Sequence, residues 1–259
     1  MEGVGSDVGG GAGAGVRARA LLLLLVAVVA LLLPLAVAPP AAAANRYAIE
    51  PPDAMLARAY RYGAMESEHC LALLALRDVP FQPVAPTRGV DTPVRLTGFL
   101  HGVRFVPIDA LAPPEKDDRT IADCRLVLAL DDLASVLAEH QVVRAEYFSM
   151  YRRRGAGFMK RGMRHPGGRA IDLVNLVLAD GKTYGVRGDF QGMRGVKTCG
   201  DGAAKPRRDT PGARLWRAVV CETSALRSFN LILSPNHDWA HRDHLHMEVR
   251  SGIKWILVQ

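Results

Sequence analysis

The chain is poor in several residue types at once. It has eight histidines and four cysteines, and aromatic residues make up only 6% of its 259 positions. No two cysteines form a C-x-x-C pair, which argues against a structural zinc site built from thiolates. The aromatics are not interleaved with basic residues as in nucleic-acid modules, so no nucleic-acid partner is expected. No internal repeat is visible, and the length suits one large domain or two small ones. Acidic residues are outnumbered, 26 against 33 basic ones, for a formal charge of +7. Such a charge favours an anionic wall polymer, lipopolysaccharide or nucleic acid. Export, which the N-terminal segment implies, disfavours the last of these.

Residues 3–16 are rich in Gly and Ala and carry no core-forming pattern. Arg17 and Arg19 precede an apolar run from Ala20 to Ala38, interrupted by Pro34 and followed by Pro39-Pro40 and four alanines. A basic start, an apolar middle and a small-residue exit describe a secretory signal peptide, with cleavage near Ala44. The alternative is an uncleaved anchor, because the run approaches the roughly 20 residues that span a bilayer. In that case the membrane is touched only through this segment. No cysteine stands at the end of the run, so no lipid anchor is expected. In both readings residues 45–259 are exported, to the periplasm or beyond. An even count of cysteines in an oxidising destination suggests two disulfides among Cys70, Cys124, Cys199 and Cys221. Three pairings are open. Cys199–Cys221, flanking the polar segment 200–212, is the favoured local staple.

The pattern from Ala54 to about Leu76 suits a helix, which Pro80, Pro83 and Pro86 then break. Residues 94–108 read as short strands with turns. Thr120 is a candidate N-cap for a well-buried helix running to His140. Val142–Phe148 reads as a strand. Ala170–Leu178 and Thr183–Val186, joined by Ala179-Asp180-Gly181-Lys182, read as a hairpin. A helix is expected over 212–224, with further strands at Phe229–Leu233 and Leu245–Val249. This order predicts an α+β domain with a mainly antiparallel sheet and flanking helices.

The histidines are unevenly spread. Four of the eight, His237, His241, His244 and His246, fall within ten residues. On the last strand, alternation puts Leu245, Met247 and Val249 on one face and His244, His246 and Glu248 on the other. The apolar set would pack on the core, and the polar set would face a cleft. The imidazoles of that set would be roughly 7 Å apart at the backbone. A second cluster, His165-Pro166-Gly167-Gly168-Arg169-Ala170-Ile171-Asp172, lets glycines fold His165 back towards Asp172. A carboxylate inside Ala-Ile-Asp-Leu-Val needs a cation. Three N/O donors with an open position suit catalytic zinc, which makes water nucleophilic and polarises a scissile carbonyl. Two other readings stay open: a degenerate site that only binds ligand, and a structural cluster of histidines. Zinc is favoured by ligand type, although affinity alone does not exclude other divalent ions. His69, His101 and His140 lack such context, and His237 is expected near the cleft rim. Arg152, Arg153 or Arg169 could hold a substrate carboxylate in a two-pronged contact.

These motifs resemble the bacterial extensin-like C-terminal domain family, itself similar to the zinc peptidases grouped with lysostaphin, D-alanyl-D-alanine carboxypeptidases and murein endopeptidase. The matching text is His165-x-x-Gly168-x-Ala170-Ile171-Asp172, Ala179-Asp180-Gly181, Leu233-Ser234-Pro235-Asn236 and His241-x-Asp243-His244-x-His246. The resemblance implies that His165, Asp172 and His246 bind zinc and that His244 is the general base. It makes His241 a candidate to line the site or touch substrate, with Glu248 and Arg169 in similar supporting roles. The Glu-x-x-His base motif of the carboxypeptidase branch is absent. The implied substrates are peptidoglycan stem peptides or cross-links, and the implied reaction is amide hydrolysis. A wall-binding module without turnover is the alternative.

Overall fold

A computed structural model describes residues 48–49, 56–110, 112–153, 164–253 and 255–259. The segment 1–44, expected to be a signal peptide or anchor, lies outside the described residues. The strands and the helices of seven residues or more, in chain order, are β1 (Ala48–Ile49), α1 (Arg58–Ala64), α2 (Ser67–Leu76), β2 (Phe81–Pro83), β3 (Pro93–Leu96), β4 (Arg104–Pro107) and β5 (Ala122–Asp123). There follow α3 (Cys124–Glu139), β6 (Val142–Tyr147), β7 (Ala170–Leu178), β8 (Thr183–Gly185), α4 (Pro211–Leu226), β9 (Leu231–Leu233), β10 (Leu245–Glu248) and β11 (Ile256–Val258). One sheet runs β1-β11-β9-β10-β7-β6-β4, with β8 also paired to β7. A smaller antiparallel sheet holds β2, β3 and β5.

The α+β class is as expected, but the main sheet is mixed rather than mainly antiparallel. β4 runs parallel to β6, and β9 runs parallel to β11. The first pair is joined through α3, and a helical crossover between adjacent strands makes them parallel. The second arises because β10 pairs antiparallel on one side of β9 while the chain end returns along the other.

β7 is buried along nearly its whole length, which its continuous apolar run Ala-Ile-Asp-Leu-Val-Asn-Leu-Val-Leu requires of a central strand. Ile171 and Leu173 pair across with Met247 and Leu245, and all four join the main core. α3 packs into that core, with residues 124–134 all buried. Its N-cap is Asp123, whose carboxylate accepts from Arg125 N at 3.1 Å. Thr120 does not cap it. The Thr120 hydroxyl instead meets the carbonyls of Pro114 and Asp117 within a 3-10 turn.

The expected helix over 54–76 is two helices that break at Met65-Glu66. A Cβ at Gly63 would lie 2.2 Å from the Arg250 carbonyl oxygen, so α1 ends against the chain leaving β10. Four elements meet at Asp132 on α3. Its carboxylate accepts from Tyr62 Oη at 2.8 Å and Ser228 Oγ at 2.5 Å, and it pairs with Arg58 at 2.9 Å and Arg77 at 3.3 Å. Disulfides join Cys70 on α2 to Cys124 on α3, and Cys199 to Cys221 on α4. The second is the expected staple, with Cα atoms 5.4 Å apart. Among the described residues no helix is long and apolar enough to cross a membrane.

Candidate metal centre

The register of β10 on β7 sets His246 directly opposite Asp172. Their side chains leave the sheet on the face away from Leu245 and Met247, as the alternation requires. His165 reaches the same point from the turn that precedes β7. That turn depends on Gly168, at φ +62°, where an added Cβ would lie 2.8 Å from Asp123 N. The Gly168 carbonyl accepts from that same Asp123 N at 2.8 Å, so the turn is fastened to the small sheet.

Three ligand atoms converge. His165 Nε2 lies 3.1 Å from Asp172 Oδ1 and 3.3 Å from His246 Nδ1, and His246 Nδ1 lies 2.9 Å from Asp172 Oδ1. Tetrahedral bonds of about 2.0–2.1 Å would set neighbouring ligand atoms roughly 3.3 Å apart. The donor set therefore fits one small divalent ion, and all three residues are buried.

The ring nitrogens facing away are also accounted for. His165 Nδ1 is 3.2 Å from the Met150 carbonyl oxygen, an acceptor, so its hydrogen sits there and Nε2 keeps its lone pair. His246 Nε2 faces Glu248 Oε2 at 3.6 Å, leaving Nδ1 free for the centre. Such outer partners orient metal-binding imidazoles and raise their basicity. Glu248 is fully buried, which alone would raise its pKa. His246 and Arg250 outweigh that and hold the carboxyl below its ordinary range. Arg164 N also donates to Glu248 Oε1 at 2.9 Å. Burial first, and then the charges of Arg152 and His246, push the His165 pKa down to about 2, so its lone pair is available at neutral pH.

Two further imidazoles line the open side. His244 Nδ1 is 2.9 Å from Asp243 Oδ1, and its Nε2 points inward, 3.6 Å from Asp172 Oδ1. His241 Nδ1 is 2.7 Å from Asp238 Oδ1. Burial lowers both pKa values, partly offset by the aspartate behind each ring. Both histidines are thus neutral bases at pH 7, each held by a carboxylate. The cleft has a volume of about 470 Å³, and Leu231 and Leu233 from β9 give it an apolar wall.

His165, Asp172, His246, His244 and His241 come together here, whereas Arg169 does not join them. Arg169 is buried and turned away, bonded to the Gly63 carbonyl at 3.2 Å and to Asp91 at 3.2 Å. It braces the fold and does not line the cleft. Arg152 does line it, with its guanidinium against Asp172 Oδ2 and 3.3 Å from His165 Nε2. Arg153 is not among the lining residues. His237 sits behind the rim, its Nδ1 3.0 Å from Gln259 Oε1 and its ring 5.5 Å from that of His241. With Asp238 and His241 it forms a second, more exposed group of candidate metal ligands. The supporting carboxylates Asp238 and Asp243 received no role from the sequence alone. Their only signal is spacing, an aspartate three residues before His241 and one just before His244.

No curated protein and no solved structure matches this chain. The profile described as Extensin-like protein C-terminus matches residues 68–257, which include every ligand and both carboxylate-backed histidines, and the chain belongs to that family.

Proposed function

We propose that the chain is an exported zinc-dependent peptidase that hydrolyses amide bonds in peptidoglycan peptides. The observation that carries this reading is the convergence of His165 Nε2, Asp172 Oδ1 and His246 Nδ1 beside two aspartate-backed histidines in an open cleft. Zinc held by these three would polarise the scissile carbonyl and make water nucleophilic near neutral pH. His244, neutral and fixed by Asp243, accepts the proton of the attacking water on Nε2 and later delivers it to the departing amine. His241 stands beside it, ring centroids 5.3 Å apart, with its Nδ1–H held by Asp238 and its Nε2 left as an acceptor towards substrate or water. Arg164 on the cleft wall offers a guanidinium to a substrate carboxylate. Export to the periplasm or beyond is supported by the N-terminal signal pattern and by two disulfides. A wall substrate is supported by the +7 charge and by the family resemblance.

One contact favours the second reading, a wall-binding module without turnover. The Arg152 guanidinium lies against two of the three ligands and could itself neutralise Asp172. Zinc-loaded protein incubated with purified muropeptides, with product masses measured, separates the two. Products that vanish with chelator and return with zinc support the peptidase. Unchanged masses, together with salt-sensitive binding to wall sacculi, would replace it with the binding module.

A further inference from the structure

Next to the metal cleft lies a second cavity of about 400 Å³ with a different character. Five arginines are among the residues that line it, Arg187, Arg194, Arg207, Arg208 and Arg242. Against them stands one carboxylate, Asp238, already engaged by His241 at 2.7 Å. Among the described residues, no ion pair joins Arg187, Arg194, Arg207 or Arg208 to an acidic side chain within the cavity. So many like charges around one hollow repel each other and concentrate a positive potential that an anion relieves.

Three of these arginine side chains, Arg194, Arg208 and Arg242, are also held in place. Trp239, 65% exposed, lies under Arg242 at 5.1 Å and Arg194 at 6.0 Å from its ring centre. Gln191 anchors the opposite wall. Its backbone carbonyl accepts from Arg207 N at 2.9 Å, and its side-chain oxygen accepts from Arg208 Nε at 3.3 Å. Gln191 adopts φ +54°, a conformation uncommon for a residue with a Cβ. A further bond from its Nε2 to the Gly188 carbonyl at 2.6 Å fixes it there. Asp238 is the common wall: it faces this cavity and also orients His241 in the cleft.

We propose that this cavity is a carboxylate-binding subsite that seats an acidic group of the peptide whose amide lies in the metal cleft. The inference rests on the peptidase reading for the identity of the ligand. The cavity itself requires no metal. A peptide chain lying across Trp239 would place a carboxylate among the arginines, where two-pronged contacts from a guanidinium fix its orientation.

The test uses the full chain carrying His246→Ala, so that binding is read without turnover. Its probes are an acetylated peptide with two free carboxylates, the same peptide as its amides, and inorganic phosphate. Calorimetry gives affinity, and the part of the tryptophan fluorescence change that Trp239→Phe removes reports occupancy. The acidic peptide should bind and weaken with added salt, while the amide form should not bind. Adding Arg194→Ala and Arg207→Ala should weaken binding about tenfold or more, with the thermal midpoint unchanged because both side chains are exposed. Equal binding of the amide peptide would overturn the proposal, as would phosphate binding as tightly as the acidic peptide. Undiminished binding in the double arginine variant would overturn it too. In the zinc-loaded native protein, binding without turnover refutes only the peptidase reading, and turnover that ignores the two arginines refutes only the subsite.

Discussion

Three substitutions, two on β10 and one at the residue just before it, should have three distinct consequences. His246 supplies Nδ1 at 2.9 Å from Asp172 Oδ1 and 3.3 Å from His165 Nε2, so His246→Ala leaves two donors where the ion needs three. Zinc should then be lost on dialysis, and turnover with it. His244 Nε2 stands farther out, 3.6 Å from Asp172 Oδ1, with Asp243 behind its ring. His244→Ala should retain stoichiometric zinc while turnover falls about 10²–10⁴-fold, the usual contribution of a general base. Glu248 is not one of the three candidate ligands, but its Oε2 faces His246 Nε2 at 3.6 Å. Glu248→Gln keeps the shape and removes the charge, and such outer-shell changes cost about 10–100-fold in metal affinity, or roughly 1.4–2.7 kcal/mol. Metal content after dialysis, competition with a chromophoric chelator and turnover on muropeptides separate the three outcomes. Zinc loss in His244→Ala equal to that in His246→Ala would refute the assignment of His244 as the base. Unchanged zinc affinity in Glu248→Gln would refute the relay through His246.

Two predictions concern the scaffold. The Cys70–Cys124 bridge spans 54 residues and the Cys199–Cys221 bridge 22, so chain entropy assigns about 4 and about 3 kcal/mol respectively. Urea midpoints of the two double-serine variants should follow that order, and a reversed order would show that the unfolded chain is not what these bridges act on. Burial first, and then the neighbouring Asp132, raise the Tyr62 pKa to about 12, above the ordinary value near 10. A raised acid pKa means stability that is fully present below pH 10 and is lost as pH climbs from 10 to 12, by at most about 2–3 kcal/mol. Tyr62→Phe should flatten that alkaline loss in denaturant titrations. An unchanged slope would place the titration elsewhere, with the buried Tyr147, also shifted upward by burial, as the next candidate.

How far the fold could be read from sequence depended on how local its causes are. The β7–β8 hairpin, α3, α4 and the alternating faces of β10 follow from periodicity and turn chemistry within one stretch of chain. The break between α1 and α2 does not, and the close approach of the Arg250 carbonyl at Gly63, where an added Cβ would lie 2.2 Å from its oxygen, comes from the far end of the sequence. Nor does the start of α3. Thr120 and Asp123 are both good caps by type, and the choice falls on Asp123 because its other oxygen also binds Thr92 N at 2.9 Å and its backbone N–H serves Gly168. The parallel pairing of β4 with β6 was implicit in a strand–helix–strand order. β5 and β11, at two and three residues, were too short to carry a periodic signal.

The convergence of the candidate ligands was legible for a related reason, and Arg169 shows the limit. Ligand convergence needed only two facts visible in sequence: a carboxylate out of place in an apolar strand, and histidines on the polar face of another. Pairing the two strands antiparallel then sets His246 opposite Asp172. Arg169 looked like a substrate contact because charge beside a cleft motif suggests one. Its position one residue before β7 instead sends it to the opposite side, where Asp91, Asp123 and the Gly63 carbonyl surround it. What separates Arg169 from Arg152 is not residue type but which way the chain is facing when it leaves the Gly168 turn. That direction is set by the hydrogen bond from Asp123 N to the Gly168 carbonyl, a contact 45 residues away in sequence. The same bond that aims His165 at the candidate ligand cluster turns Arg169 into the fold, so any residue carrying a Cβ at position 168 would disturb the ligand and the brace together.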